Sequence, residues 1–322
     1  MQCSFQVVLI TLEFNYLVLK TNINMNRILV VGSSNTDMVI KTEKFPVPGE
    51  TVIGGTFFMN PGGKGANQAV ASARLGGKVT FITKIGDDLF GSQTIGVLKK
   101  EGIDTRNIVK DESLPSGIAL ITVNSAGENN IVVAPGSNGN IVAEDIPSDL
   151  LSSGKFAILL LQLEIPVMTV EYAALTAAEH GIKVLLNPAP AQKLHDYLLR
   201  HIWLITPDEN EAGILTGVKI TNETSAEKAA TEFQRKGVKN VIITLGARGA
   251  YVKSDEFTGI VPGNKVTAVD STAAGDVFNG ALAVAFAEGK GIKDAVIFAN
   301  KAAAISVTRL GAQASAPYRK EL

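Results

Sequence analysis

The pattern of apolar and polar residues predicts a chain in which buried strands alternate with amphipathic helices. The predicted strands are 28–31, 78–84, 156–163, 183–187, 203–206 and 241–245. The predicted helices are 66–75, 92–101, 167–180, 209–216, 223–236, 277–288 and 293–307. Nearly all-apolar strands that alternate with helices form parallel sheets covered on both faces. We therefore predict a three-layer αβα core around a mostly parallel sheet.

Two stretches, residues 38–60 and 117–133, instead alternate apolar and polar residues and contain turn signals such as Pro46 and Gly54. Such alternation is typical of strands with one wet face. We predict that they form a small separate β-sheet, and we interpret this sheet as a lid over the site. The sequence has no linker, repeat or low-complexity stretch, so we expect residues 25–322 to be a single domain that includes this lid.

Composition and charge exclude several classes of protein. The chain has 322 residues, of which 46% are hydrophobic and 19% charged, so it can bury a large core in one α/β domain or two small ones. A net charge of −1 gives no excess positive charge that would favour binding to nucleic acid or to an anionic membrane. The single cysteine, Cys3, cannot form a disulfide framework or a thiolate metal cluster, and the three histidines lack metal-ligand spacing. We therefore expect a cytoplasmic protein.

The first 24 residues are expected to be an extension outside the fold. Their apolar run, 5–12, is interrupted by Glu13, follows no basic segment and precedes no small-residue cleavage site. It is too short for a membrane span and has the wrong flanks for a signal peptide. Met25, followed by the apolar strand 28–31, is the natural beginning of the folded chain.

The segment that is most informative for chemistry is A-V-D-S-T-A-A-G-D-V-F-N-G, residues 268–280. Its apolar approach (Val266, Ala268 and Val269) predicts a strand, the small residues after it predict a tight turn, and the run from Val277 predicts a helix.

At this turn, the small side chains of Ala273, Ala274 and Gly275 leave the backbone amides accessible. Accessible amides at a helix N-terminus bind anions, with help from the helix dipole. Asp276, beside that positive pole, is expected to stay ionised at neutral pH and to serve as a general base, with a simple helix cap as the alternative. An anion site next to a base is what phosphoryl transfer to a hydroxyl requires.

Other polar residues follow predicted strands, at the edge where α/β sheets usually bind ligands. Asn35 and Asp37 follow the first strand, either as ligands or as an Asx turn. The string N-P-G-G-K-G-A-N-Q, residues 60–68, leads into a helix. Its glycines let a polyol approach the backbone while Lys64 and Asn67 supply donors, although a glycine-rich helix cap is the alternative.

Three later segments also follow strands. Glu164 ends a buried strand, so its charge needs a ligand or a partner unless it is only a helix N-terminal acid. The acids of 208–211 open a helix, where acids are often dipole partners. The segment T-L-G-A-R-G, residues 244–249, is a turn after a buried strand.

Residues 270–280 resemble the signature D-[TS]-x-x-[AG]-G-D-x-F-x-G of the ribokinase-like (PfkB) carbohydrate kinases, and 62–67 match the family's G-G-K-G-A-N segment. The resemblance runs from about Met25 to the C-terminus. It implies the three-layer fold with a lid and ATP-dependent phosphorylation of the 5-hydroxyl of D-ribose. It also implies Mg²⁺ with the ATP, K⁺ as an activator and a homodimer formed through the lid.

The resemblance assigns roles to individual residues. It implies that Asp276 and the amides of Ala273, Ala274 and Gly275 carry out catalysis. The sugar would contact Asn35, Asp37, Gly63, Lys64, Asn67, Glu164 and Asp276. The nucleotide would contact Asp208, Thr244, Leu245, Gly246, Ala247, Arg248, Gly249, Gly275 and Asn300. Glu211 would help to place Mg²⁺ indirectly, and K⁺ would be held, partly through the backbone, by Asp270, Thr272, Ser306, Arg309, Gly311 and Ser315.

One residue departs from the family pattern, because Asp208 stands where Asn is usual. The carboxylate keeps an acceptor but loses the amide donor, so a direct phosphate contact is in question and a contact through water or metal is the alternative. Other functions remain open: a sibling kinase for deoxyribose, another furanose or a nucleoside, and a non-catalytic sugar-binding regulator. A nicotinamide dehydrogenase is disfavoured because no G-x-G-x-x-G fingerprint is present.

Overall fold

The computed structural model describes residues 27–322, so the expectation for residues 1–24 lies outside the described part. The strands are β1 (Arg27–Val31), β2 (Asn35–Lys41), β3 (Thr56–Gly62), β4 (Lys78–Ile82), β5 (Lys84–Gly86), β6 (Val109–Asp111), β7 (Gly117–Val123), β8 (Asn129–Ala134), β9 (Ile158–Leu161), β10 (Lys183–Leu186), β11 (Leu204–Ile205), β12 (Asn240–Thr244), β13 (Ala250–Lys253) and β14 (Thr258–Val261). The helices are α1 (Lys64–Arg74), α2 (Leu89–Lys100), α3 (Ser148–Ser152), α4 (Val167–Glu179), α5 (Asp196–Leu199), α6 (Glu209–Thr216), α7 (Glu223–Arg235), α8 (Ala274–Ala287) and α9 (Ile292–Ser306).

A large sheet forms the centre of the described chain, with the strand order β14-β13-β12-β11-β10-β9-β1-β4. The strands from β4 to β12 pair in parallel, whereas β13 and β14 are antiparallel additions at one edge. The predicted mostly parallel sheet is therefore confirmed. The two antiparallel edge strands were not among the predicted elements.

Two apolar clusters, one on each face of the large sheet, make the three layers. Along β1, Ile28 and Val30 belong to one cluster and Leu29 and Val31 to the other, as the period of two in a strand requires. The first cluster includes residues of α1, α8 and α9, and the second includes residues of α4 and α7. The predicted αβα arrangement is confirmed. Within residues 27–322, no helix has both the length and the apolar character that crossing a bilayer demands.

The small sheet has the order β3-β2-β7-β8 and is built from the two stretches with alternating polarity. Its central pair, β2 and β7, is parallel, and the outer pairs are antiparallel. Because β2 follows β1 after three residues, the small sheet starts at the carboxyl end of the large one. Cross-strand partners share a face, so Asp37 lies in a row with Asn60, Ala119 and Val133.

Helices α1 and α8 approach each other closely, and this contact places the residues of the site. A Cβ on Gly280 would stand 2.8 Å from Cβ of Ala71, so only glycine permits this spacing. The hydroxyl of Ser72 also donates to the carbonyl of Gly280 at 3.2 Å. The start of α1 is thereby held beside the first turn of α8.

The predicted strand before the first turn of α8 is wrong. Residues 262–273 are irregular, and Val266 and Val269 are 47% and 60% exposed. The amides of Val269 and Asp270 both donate to the carbonyl of Val307, at 2.7 and 3.1 Å, rather than to a neighbouring strand. The apolar residues therefore face solvent, because the chain is held by the end of α9 instead of a sheet.

Candidate active site

Asp276 lies in the first turn of α8, and only 6% of its surface is exposed. Its Oδ2 accepts a hydrogen bond from Nδ2 of Asn67 at 2.9 Å, and its Oδ1 accepts one from Nε2 of Gln68 at 2.9 Å. Both donors are on α1, so the two signature motifs meet at this carboxylate. Gln68 was not among the predicted site residues. The signal that could have found it is its place four residues after Lys64, on one face of the helix.

The ionisation of Asp276 differs from the expectation. Burial, helped by the charge of Glu164, raises the pKa of this carboxyl, although the charge of Lys64 and the amides of Asn67 and Gln68 act to lower it. The expectation considered the helix pole but not the packing of α1 against α8, which removes water from the carboxylate. A raised pKa makes Asp276 a stronger proton acceptor than an exposed carboxylate, which suits a general base.

The turn before α8 has the geometry of an anion site with one correction. Ala273 is left-handed, with φ of +58°, and ends the turn that Ser271 begins. The amide of Ala274 donates to the carbonyl of Ser271 at 3.2 Å, so it is engaged within the turn rather than accessible as expected. The amide of Gly275 lies in the first turn of α8 and has no intrahelical acceptor. An anion bound at this turn would therefore contact mainly the amide of Gly275 rather than all three amides equally.

Asp37, Lys64 and Glu164 converge on Asp276. The pKa of Asp37 is raised to about 6 by burial and by the charges of Glu164 and Asp276. Burial alone would lower the pKa of Lys64, but the carboxylates of Asp276 and Glu164 raise it above its usual value, so the ammonium stays charged. One cation thus sits among three carboxylates, an arrangement that suits a ligand rich in hydroxyl groups.

Glu164 has a clear structural partner. Its Oε2 accepts from Oγ of Ser33 at 2.6 Å and from the amide of Lys64 at 2.9 Å. The carboxylate therefore caps the start of α1, not the helix that follows it in the chain. Ser33, which the sequence reasoning placed only in a polar cluster, helps to hold it.

The two asparagines of the predicted sugar site are oriented by the protein. Oδ1 of Asn35 accepts from Nδ2 of Asn138 at 2.7 Å, and Asn138 also bonds the backbone of Ser34. Nδ2 of Asn67 donates a hydrogen bond to Asp276, while its buried Oδ1 has no hydrogen-bond partner in the described part of the chain. A buried acceptor without a partner is costly, so Oδ1 of Asn67 is suited to receive a ligand hydroxyl.

The predicted nucleotide loop, 244–249, lies beside the start of α6. Thr244 forms an isolated parallel bridge with Asp208, and Arg248 forms an ion pair with Glu209. Gly249 has φ of +96°, and a Cβ there would overlap the carbonyl of Val261, so this position requires glycine. The structure thus brings this loop and the 208–211 acids together.

Asp208 and Glu211 cap α6 reciprocally. Oδ1 of Asp208 accepts from the amide of Glu211 at 2.7 Å, and Oε2 of Glu211 accepts from the amide of Asp208 at 2.8 Å. Burial raises the pKa of Glu211 to about 7, and the charges of Lys64 and Asp276 also act on it. Glu211 therefore faces the same cleft as the catalytic candidates, while Asp208 is exposed beside it.

Asn300 uses its amide within the protein. Its Nδ2 lies 3.3 Å from the carbonyl of Val261 and 3.2 Å from that of Pro262, and the residue is buried. Asn300 therefore holds the chain that leaves β14 next to Gly249, a structural role that the expectation of a nucleotide contact did not include.

Asp270 connects the turn before α8 with the segment after α9. Its Oδ1 accepts from the amide of Thr272 at 2.9 Å, and its Oδ2 accepts from the amide of Gly311 at 2.9 Å. Burial would raise the pKa of Asp270, but these hydrogen bonds lower it below its usual value, so the residue carries a full negative charge.

The other side chains of the expected K⁺ site point elsewhere. The hydroxyls of Ser306 and Ser315 donate at 2.8 Å to carbonyls three residues earlier, and Arg309 forms a 2.5 Å ion pair with Glu321. A cation in this loop would therefore be held by backbone carbonyls near Asp270. Among residues 27–322, no group of three or more His, Cys, Asp or Glu side chains is arranged to hold a metal ion.

Comparisons with known proteins agree with this geometry. The model of the pfkB family of carbohydrate kinases matches residues 25–319. A ribokinase of Haemophilus influenzae is 47% identical over 292 residues, which cover 91% of this chain and 95% of that protein. The crystal structure of a ribokinase from Thermotoga maritima has a TM-score of 0.84 at 44% identity, covering 92% of this chain and 97% of its own. An Arabidopsis thaliana ribokinase complexed with ribose and ATP has a TM-score of 0.83 at 31% identity, with 92% and 96% coverage. The chain belongs to the pfkB family of carbohydrate kinases.

Proposed function

We propose that this protein transfers the γ-phosphoryl group of ATP to the 5-hydroxyl of D-ribose. The observation that carries the proposal is the buried carboxylate of Asp276, which two residues of the glycine-rich helix bind directly. A proton acceptor is thereby fixed next to a polyol-binding segment and in the first turn of a helix. The relatives described above, which are ribokinases, favour ribose among the sugars that such a site would accept.

At the sugar end, the ligand hydroxyls would be held by Asn35, Asp37, Lys64, Asn67 and Glu164, with the sugar lying against the backbone of Gly63. Asp37 accepts from a diol, and Oδ1 of Asn67 receives one hydroxyl. These contacts bring the 5-hydroxyl to Asp276, which takes its proton as the oxygen attacks phosphorus.

At the phosphate end, the amide of Gly275 and the positive pole of α8 stabilise charge on the transferred group, with Ala273 and Ala274 shaping the turn. The loop from Thr244 to Gly249 would hold the nucleotide. The half-buried carboxylate of Glu211 fits Mg²⁺ held through water, and such an ion would supply positive charge against the ATP phosphates.

A monovalent cation, K⁺ in our proposal, fits the loop that Asp270 closes. The ionised carboxylate supplies the charge, and its bonds to Thr272 and Gly311 hold the two segments whose carbonyls would surround the ion. The loop leads directly into the turn before α8, so the ion would change the field at the anion site without contacting substrate.

The small sheet is proposed to be both a lid and a dimer interface within a single domain. The row that contains Asp37 faces the site, so closure of this sheet would exclude water from the reaction. The opposite face carries the row Met59, Met38, Leu120 and Val132, of which three are exposed large apolar side chains. An exposed apolar face of this kind is typical of a protein interface. We expect the enzyme to act in the cytoplasm on small molecules alone.

Initial rates of ADP release with ribose, 2-deoxyribose, fructose and adenosine, with and without K⁺, test this proposal. We expect ribose to have the highest kcat/KM and K⁺ to increase the rate. Preference for another acceptor would assign a sibling kinase instead. Sugar binding without ADP release at any pH would indicate the non-catalytic regulator.

A further inference from the structure

We infer that Gln68 is a positioning residue for Asp276, because a network of buried side-chain amides fixes its orientation so that it holds the carboxylate in its ionised form. The inference rests on the proposed function, since it concerns the residue that accepts the proton. Gln68 ends the glycine-rich string but has no role in the expected site, and its side chain is fully buried.

The side-chain amide of Gln68 makes three hydrogen bonds. One hydrogen of Nε2 goes to Oδ1 of Asp276 at 2.9 Å and the other to Oδ1 of Asn187 at 3.0 Å. Its Oε1 accepts from Nε2 of Gln162 at 2.6 Å. A glutamine with both hydrogens and its oxygen engaged has a single orientation. The reverse orientation would place Oε1 against the carboxylate of Asp276 and the oxygen of Asn187, and both contacts would be repulsive.

The partners of Gln68 are themselves oriented. Asn187 donates from Nδ2 to the carbonyl of Thr206 at 3.1 Å, so its oxygen must face Gln68. Gln162 is fully buried, and its Oε1 has no hydrogen-bond partner within residues 27–322. The buried Oε1 of Gln162 is thus left without a hydrogen bond while its Nε2 donates to Gln68. An unsatisfied buried acceptor costs free energy, so this orientation indicates that the hydrogen bond to Gln68 is important.

The network continues to the turn that forms the anion site. Thr206 donates from its hydroxyl to Oδ1 of Asn279 at 2.5 Å, and Nδ2 of Asn279 donates to the carbonyl of Gly275 at 2.8 Å. The same buried cluster therefore contacts both the carboxylate of Asp276 and the first turn of α8. Apolar side chains could fill this volume without the desolvation of so many polar groups, so packing alone does not account for the cluster.

Several charges also act on Asp276, and they come from four elements. Lys64 on α1 favours its ionised form, whereas Glu164 after β9 disfavours it. Asp37 on β2 and Glu211 on α6 face the same cleft and also interact with its charge. Asn67 and Gln68 differ from these groups because each contacts a carboxylate oxygen directly. Hydrogen bonds to the charged form favour it, so loss of Gln68 would raise the pKa of Asp276 further.

The decisive variant is Gln68→Met, which keeps the length of the side chain but removes its donor and acceptor. The measurement is kcat and KM for ribose between pH 5 and pH 9. We expect the acidic limb of the kcat profile to move upward by about one pH unit, so that on this limb kcat falls by up to about tenfold relative to the wild type at the same pH. Among the residues expected to contact the sugar, Gln68 hydrogen-bonds only to Asp276, so KM should change by less than about threefold.

Ser72→Ala is the matched control. Ser72 is equally buried, lies one turn further along α1, and donates to the carbonyls of Gln68 and Gly280. Its loss should weaken the contact between α1 and α8 and lower the melting temperature, but it removes no hydrogen bond to Asp276, so the pH profile should be unchanged. A limb that moves as far in Ser72→Ala as in Gln68→Met would show a general packing effect and overturn the inference.

Gln162→Met provides a second variant, since Gln162 does not touch Asp276 and acts only through Gln68. We expect a shift of the acidic limb in the same direction, by about half a unit, because the amide of Gln68 would lose one of the partners that fix it. Unshifted limbs in the folded variants would refute the role of Gln68. Absence of ribose-dependent ADP release in the wild-type protein would instead refute the proposed function, so the two failures are distinct.

Discussion

The carboxylate of Asp37 lies directly against Cα of Gly62, so that a Cβ on residue 62 would overlap both carboxylate oxygens. The two residues are diagonal neighbours on β2 and β3, because Gly62 pairs with Asn35 and Asp37 pairs with Asn60, just before the chain enters α1. Gly62→Ala should therefore displace Asp37 from the sugar site. We expect KM for ribose to rise by about tenfold or more, with a smaller change in KM for ATP, in steady-state assays that vary each substrate.

Gly96→Ala is the control for this substitution. Gly96 lies within α2, and a Cβ there would meet nothing within 4 Å. The change should leave both KM values unaltered and stabilise the helix by about 0.5–1 kcal/mol. An unchanged KM for ribose in Gly62→Ala would show that Asp37 does not bind the sugar.

Asp276→Asn tests the general base. The substitution keeps the size of the side chain but removes its ability to accept a proton, so kcat should fall by about 10²–10⁴-fold. Sugar binding, measured by calorimetry, should remain within about threefold of wild type. Asp294→Asn is the control, because Asp294 is also an acid in the first turn of a helix but is exposed on α9. Full activity in Asp276→Asn would contradict the assignment.

The strands and helices of the core could be predicted because each depends on nearby residues. The run Ile28–Val31 is apolar on both faces, and Glu209–Thr216 directly follows an acid, Asp208, that caps it, so both elements appear where the pattern indicated. The antiparallel strand Thr258–Val261 has only a weak local signal, since it alternates exposed and buried residues over four positions. Its place at the sheet edge is set by pairing with β13.

The buried amide side chains behind Asp276 could not be predicted from the sequence, since their contacts join distant segments. Gln68 contacts Gln162 across 94 residues and Asn187 across 119, and the glycine-rich motif that ends at Gln68 does not reveal either partner. The raised pKa of Asp276 depends on the same packing, because only the tertiary structure removes water from that carboxylate. The motifs did indicate Lys64 and Asn67, because both lie within a few residues of the glycines in the same motif.

Asp37→Asn should stabilise the protein while weakening sugar binding. Burial, with the charges of Glu164 and Asp276, raises the pKa of Asp37 to about 6 in the folded protein, against an ordinary value of 3.8. Between these two pH values, the folded protein binds more protons than the unfolded chain, so this group's contribution to stability falls as pH rises. Above pH 6 the full penalty is present, and removing it should add about 1–2 kcal/mol at pH 7.5.

Thermal unfolding at pH 7.5 and pH 4 distinguishes this electrostatic effect from a change in packing. The stability difference between Asp37→Asn and the wild type should shrink towards zero at pH 4, because wild-type Asp37 is then protonated and uncharged. A gain that is equal at both pH values would have another cause. KM for ribose should rise in the variant at pH 7.5, where wild-type Asp37 is ionised, and the rise should shrink below pH 6.

Asp208→Asn restores the usual family residue at the start of α6. The amide oxygen can still accept from the amide of Glu211, so the melting temperature should barely change. Removal of an exposed negative charge beside the nucleotide loop should lower KM for ATP by about threefold, since the polyphosphate is itself anionic. The effect should weaken at high salt. A higher KM for ATP would show that Asp208 holds the nucleotide through water or metal.

Leu120→Lys tests the proposed dimer. Leu120 lies on the central pair of the small sheet, in the row with Met59 and Val132 on the face opposite Asp37, and it is 55% exposed. A buried lysine in each protomer would bring like charges together, so we expect the variant to be monomeric in light-scattering measurements while the wild type is dimeric. Met168→Lys, at an apolar side chain on α4 that is 81% exposed, should leave the dimer intact. Because the same sheet carries Asp37 on its other face, loss of the dimer should also raise KM for ribose. A dimer that survives Leu120→Lys would place the interface elsewhere.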